Sequence, residues 1–176
     1  GSNVQMIVTL TNLVSNVGVV ATDTAGAGTG KTALAAASYG GDKAIFGYGA
    51  SLPSNLVNIT NLVSNTGVVS TDTAGVGTPR LGLAAAGYGG GKAIFGYGTL
   101  STNITNITNL VSDVGIVSAD VSSVGTSRWS LAAAGIDVTW TPTPTPTPNI
   151  APTPTPTPTP TPIPSPIPSG FARAIF

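Results

Sequence analysis

The side chains able to carry charge or move protons are few, and they recur at fixed intervals. Six acidic and six basic residues, with no histidine and no cysteine, are the whole supply in 176 residues. Without imidazole or thiol the chain lacks the usual neutral-pH general base, thiolate nucleophiles, disulfides and the Cys/His ligand sets of zinc. Asp23, Asp72 and Asp120 each stand eight residues before a cation, namely Lys31, Arg80 and Arg128. There is no glutamate, and no repeat holds an acid–base cluster. A carboxylate–cation couple once per repeat predicts a structural clamp within each repeat, since removing one partner of a semi-buried pair leaves the other uncompensated. A ring of three carboxylates around a channel, holding a ligand or metal, is the weaker alternative because no further acid lies close by. No enzyme activity, cofactor or metal is expected.

The remaining cations form a second register. Lys43 and Lys92 lie 12 residues beyond Lys31 and Arg80, each opening Lys-Ala-Ile-Phe-Gly-Tyr-Gly. The corresponding third position holds Trp140, and the pattern reappears 33 residues later as Arg173-Ala174-Ile175-Phe176. This spacing predicts that the C-terminal tail supplies a strand missing from the third unit, either to its own chain or to a neighbour. Tyr48, Tyr88 and Tyr97 are flanked by glycine and have two readings. They are either exposed platforms for sugar rings or turn residues packing one unit on the next. The stretch from Ala25 to Thr32 loosely matches a phosphate-binding loop. The same register reads Gly77-Thr78-Pro79-Arg80 one unit later, where proline removes a backbone donor, so nucleotide binding is not expected.

These residues sit in a threefold internal repeat. Asn12-Leu13-Val14-Ser15 recurs as Asn61 to Ser64 and as Asn109 to Ser112, at spacings of 49 and 48 residues. Leu34-Ala35-Ala36-Ala37 recurs as Leu83 to Ala86 and as Leu131 to Ala134. Each unit splits into four short apolar segments bounded by Gly, Asn, Asp or Thr. In the second unit these are Ile59 to Val63, Val68 to Thr71, Leu81 to Ala86 and Lys92 to Phe95. Segments of this length between glycine-rich breaks read as strands joined by tight turns. The fold class is therefore all-β, with units at about 4–49, 50–98 and 99–140.

The run from Arg80 through Leu83-Ala84-Ala85-Ala86 to Lys92-Ala93-Ile94-Phe95-Gly96-Tyr97-Gly98 resembles a Kelch-type β-propeller blade. Such blades open on an arginine, pass through a small-residue inner strand and close an aliphatic–aromatic strand with glycines. The resemblance implies four-stranded blades, about three per chain. It also suggests a place among phage tail and bacterial surface proteins, where similar units occur. A β-solenoid is the alternative architecture.

Residues 141–169 alternate Thr or Ser with Pro over most of their length, which predicts an extended polyproline linker. The 28 residues from Thr141 to Pro168 span about 85 Å in that conformation. Residues 170–176 follow as the donor strand. Only 7% of residues are charged and the formal net charge is zero, which gives no electrostatic grip on nucleic acid or anionic lipid. No apolar run is long enough for a membrane-spanning helix, and no basic region followed by an apolar stretch marks a signal peptide. Three blades are fewer than a closed propeller needs. Self-assembly is therefore expected, as a dimer closing a six-bladed ring or as a head-to-tail filament. The expected role is structural or adhesive, on a virion or bacterial surface and extracellular. The alternative is a lectin-like propeller binding a cell-surface glycan.

Overall fold

A computed structural model describes residues 7–122, 124–136 and 173–175. Among them the chain is all-β, in small antiparallel sheets with no helix. The 141–169 linker and Phe176 lie outside these residues.

Strand β1 (Ala35–Tyr39) turns back through Gly40 and Gly41 into β2 (Lys43–Gly47). Both turn glycines have left-handed backbone, φ 61° and 80°, as tight hairpins require at their central positions. Strands β3 (Ala50–Ser51) and β4 (Asn55–Leu56) make a two-residue ribbon in the connection that follows. Strand β5 (Thr60–Val63) then returns along the free edge of β2, with Gly47 opposite Thr60 and Ala44 opposite Val63. The next repeat builds the same meander from β6 (Ala84–Tyr88), β7 (Lys92–Gly96) and β8 (Thr108–Val111). Beyond β5 and β8, the following segments join only through single bridges, Val63 to Val69 and Thr60 to Thr73, then Val111 to Val117 and Thr108 to Val121.

Two details differ from the sequence expectation. Each of the two larger sheets straddles a repeat boundary, taking two strands from one unit and its Thr-Asn-Leu-Val strand from the next. Consecutive segments pair because a short connection favours an antiparallel neighbour. These two sheets are three-stranded rather than four-stranded, and the Ala-rich strand of the second unit begins at Ala84 and extends to Tyr88.

The sheets approach one another most closely along their Ala-rich strands, β1 against β6 and β6 against β9 (Ala134–Ile136). Alanine permits this because its side chain adds little bulk between two main chains. The core lies between the first two sheets, formed by Ala35, Tyr39, Ile45, Tyr48, Leu83, Ala93, Phe95 and Val111. Main-chain bonds also cross from unit to unit: Gly82 N–H donates to Ala33 O (3.0 Å) and Ser130 N–H donates to Gly82 O (2.8 Å).

In the third unit, β9 pairs with β10 (Arg173–Ile175) of the same chain. Arg173 lies opposite Ile136, Ala174 opposite Gly135 and Ile175 opposite Ala134. One unit earlier, Lys92 faces Tyr88, Ala93 faces Gly87 and Ile94 faces Ala86. The tail strand thus takes β7's register in the third unit. No closed barrel or ring forms among the described residues.

Candidate functional site: the joints between repeats

Asp72 belongs to the second unit but reaches back to the first. Its carboxylate accepts from the Thr29 N–H (3.1 and 3.0 Å), from the Thr29 hydroxyl (2.7 Å) and from Asn61 Nδ2 (2.9 Å). Asn61 also donates to Ser70 O (3.1 Å), and its Oδ1 accepts from the Lys31 ammonium. Asp120 repeats the arrangement one unit on. It accepts from the Thr78 N–H (3.0 and 3.1 Å), the Thr78 hydroxyl (2.6 Å) and Asn109 Nδ2 (3.0 Å). In the first unit, Asp23 accepts from Asn12 Nδ2 at 2.8 Å.

This geometry corrects the expected pairing within a repeat. Asp72 is coupled electrostatically to Lys31 and Asp120 to Arg80, each a cation of the preceding unit. None of Asp23–Lys31, Asp72–Arg80 or Asp120–Arg128 forms an ion pair. Among the described residues that contact is made by Asp42 and Lys43 at 2.9 Å, on an exposed turn. The reason is local: threonine and asparagine donors saturate each clamp carboxylate, and the arginines are drawn onto aromatic rings. Burial acts to raise the Asp72 and Asp120 carboxyls, but these hydrogen bonds and the neighbouring cation outweigh it and hold both below the ordinary value. Burial lowers the Lys31 ammonium, with Asp72 opposing.

The clamp depends on a glycine at one place. Gly28 and Gly77 have φ of 79° and 78°, and a Cβ on either would collide with the aspartate carboxylate and with Asn61 or Asn109. Gly77→Ala is therefore expected to cost about 1–3 kcal/mol. Urea unfolding measures this, and an unchanged midpoint contradicts the clamp.

Arginines close the second part of each joint. Arg80 is 0% exposed, and its guanidinium carbon lies 4.3 Å from the centroid of the Tyr48 ring in the preceding unit. Its Nε donates to Tyr97 O (2.8 Å) and its Nη1 to Thr78 O (3.1 Å). Tyr48 donates its hydroxyl to Val76 O (3.0 Å) and packs on Phe95 at 5.2 Å between centroids, tilted by 58°. Arg128 sits 4.5 Å over Tyr97 and donates to its hydroxyl at 3.0 Å. Tyr48 and Tyr97 both hold left-handed backbone, φ 63° and 64°, uncommon for a bulky residue and stable only where surroundings enforce it.

Tyr48 and Tyr97 are thus buried, 0% and 5% exposed, and present no face to a sugar, which corrects the platform reading for these two. Tyr88 is half-buried and lines a groove of about 150 Å³ with Tyr39, Ser38, Lys92 and Gly135. Sequence reasoning missed the clamp residues Thr29, Thr78, Asn61 and Asn109. Their signal was present, since asparagine begins every Asn-Leu-Val-Ser copy and threonine follows glycine two residues before each clamp cation.

Two titrations follow from these environments. A depressed carboxyl contributes stability that is present above its ordinary pKa of 3.8 and is lost as pH falls through the lower folded value. Burial pushes the Tyr48 phenol from 10.0 up to about 12, with Arg80 opposing. Its contribution is complete below 10.0 and disappears as pH rises towards about 12. Melting followed by circular dichroism should show loss of stability below pH 3.8 and again above pH 10.0. A Tyr48→Phe variant that kept the alkaline limb unchanged would refute its assignment.

No protein-family model and no curated protein sequence matches the chain.

Proposed function

We propose that the chain is a non-enzymatic structural and adhesive repeat protein of a virion appendage or bacterial surface. Its repeats are read as Kelch-like propeller blades in an open arc that self-assembles. One observation carries the structural reading: Asp72, Asp120, Arg80 and Arg128 all make contacts that fasten one repeat to its neighbour. Side chains committed in this way are not free to handle a substrate.

Assembly is favoured by the surface. Val19, Val68 and Ile116 occupy the same register in successive units and are 64%, 66% and 68% exposed. With so little charge in the chain, such repeated exposed apolar side chains favour contact with another surface. The pairing of β10 with β9 favours a tail that completes the third sheet on its own chain, leaving the exposed apolar residues and the terminal sheet faces to make contacts between chains.

Light scattering of the intact chain against a version ending at Trp140 tests this. The intact chain is expected to form an oligomer. The shortened chain should lose order at Ala134–Ile136, seen as faster amide exchange there. A monodisperse monomer with unchanged exchange in both versions contradicts the proposal.

The lectin-like reading rests on the groove lined by the half-buried Tyr88, by Lys92 and by glycines. Its test is a glycan array with Tyr88→Ala as the control.

A further inference from the structure

The seat that holds Tyr48 recurs around Tyr97 without an aromatic neighbour among the described residues, and its residue positions recur once more in the first unit. Around Tyr48 it consists of Arg80 above the ring, Phe95 beside it, Val76 O accepting the hydroxyl and Ile59 O accepting the main-chain N–H at 3.1 Å. Around Tyr97 the same positions are Arg128, Val124 O at 3.3 Å and Ile107 O at 2.9 Å. Moving back one unit, the positions of Arg80, Phe95, Val76 and Ile59 become Lys31, Phe46, Ala27 and Leu10. Those four residues, with Leu34 and Asn61, line a single cavity of about 240 Å³. That is below the roughly 300–1,000 Å³ typical of small-molecule pockets and suits one side chain.

The walls of this cavity differ from the filled seats in cover and in the cation. Leu34 is 37% exposed where Leu83 is 5%, and Phe46 is half-buried where Phe95 is 0% exposed. Lys31 occupies the register of Arg80 and Arg128, with its ammonium donating to Asn61 Oδ1, and Leu10 and Ala27 occupy the registers whose main-chain carbonyls serve the filled seat. The chain's own tyrosines do not line it.

We propose that this cavity is a docking site for a tyrosine ring carried on a Gly-Tyr-Gly turn of a further repeat of this type. The occupant must offer a phenol on backbone with φ near 63°, as Tyr48 and Tyr97 do, and glycine neighbours allow that conformation. A second copy of the chain is a poor donor, because its Tyr48 and Tyr97 are already covered by its own Arg80 and Arg128. The seat in the first unit is therefore an acceptor for the same joint used inside the chain.

The peptide Lys-Ala-Ile-Phe-Gly-Tyr-Gly, added to the full chain, tests this by calorimetry and by acylation of the Lys31 amine. Binding is expected, with Lys31 protected. Alanine in place of the peptide tyrosine should weaken binding by about tenfold or more, and Lys31→Ala by about tenfold, whereas Lys31→Arg should tighten it. Equal affinity for the alanine peptide, no binding at millimolar peptide, or binding that leaves Lys31 reactive would overturn the proposal. So would self-association of the intact chain that protects Lys31 without any peptide, since a second copy would then occupy the seat.

Discussion

Phe95→Ala is expected to destabilise the chain by about 3–5 kcal/mol, while Phe46→Ala, one repeat earlier, should cost roughly half that or less. Composition cannot produce this contrast, because both residues sit in identical Lys-Ala-Ile-Phe-Gly-Tyr-Gly segments. Position produces it. Phe95 is fully buried between the first two sheets, 5.2 Å from the Tyr48 ring, and a Cβ added to Gly47 would meet its Cζ at 3.0 Å. Truncation there leaves a cavity walled by two sheets that cannot close independently. Phe46 points to the open end of the array, where neighbouring side chains and water can fill the space. The melting temperature should fall by roughly 10–15 °C for Phe95→Ala. Equal losses at the two positions would mean that the sheets do not pack as described.

Arg80→Ala is the second large effect, at about 3–4 kcal/mol. The loss combines two hydrogen bonds from a charged donor, contact with the Tyr48 face, and removal of the donor to the part-buried Thr78 O. Arg128→Ala should cost only about 0.5–1 kcal/mol, because its stacked guanidinium is exposed. Arg80→Lys offers an internal control. Asn109 Oδ1 is buried without a hydrogen-bond partner, whereas the equivalent Asn61 Oδ1 accepts from Lys31. A lysine at 80 can supply the absent donor while giving up the fork and the stacking, so it should recover roughly half of the alanine loss. Chemical unfolding of the three variants measures the series, and a lysine variant as poor as alanine contradicts the seat as drawn.

Much of the fold was legible in the residues. The threefold repeat, the strand character of the Ala-rich and Lys-Ala-Ile-Phe segments, and the likeness of the tail to the latter all follow from direct matching of short strings. Strand partnership was harder, because nothing in a tandem array says whether Thr60–Val63 pairs with the segment before it or the one after. The joints suffered from the same ambiguity. Asp72 lies eight residues before Arg80 and 41 residues after Lys31. Proximity in sequence favoured the first, while the meander brings the second into play by carrying β5 back along β2. The aromatic seats were hidden for a different reason. A glycine-flanked tyrosine reads as an exposed turn, and only the three-dimensional path shows Arg80 closing over Tyr48.

A pair of double-mutant cycles tests most directly whether charged side chains fasten neighbouring repeats. Arg80→Ala combined with Tyr48→Leu is predicted to show a coupling of about 1–2 kcal/mol across the repeat boundary. Arg80→Ala combined with Asp72→Asn, the pair within one repeat, should be additive within about 0.5 kcal/mol. The reverse result, additivity with Tyr48 and strong coupling with Asp72, would contradict the account.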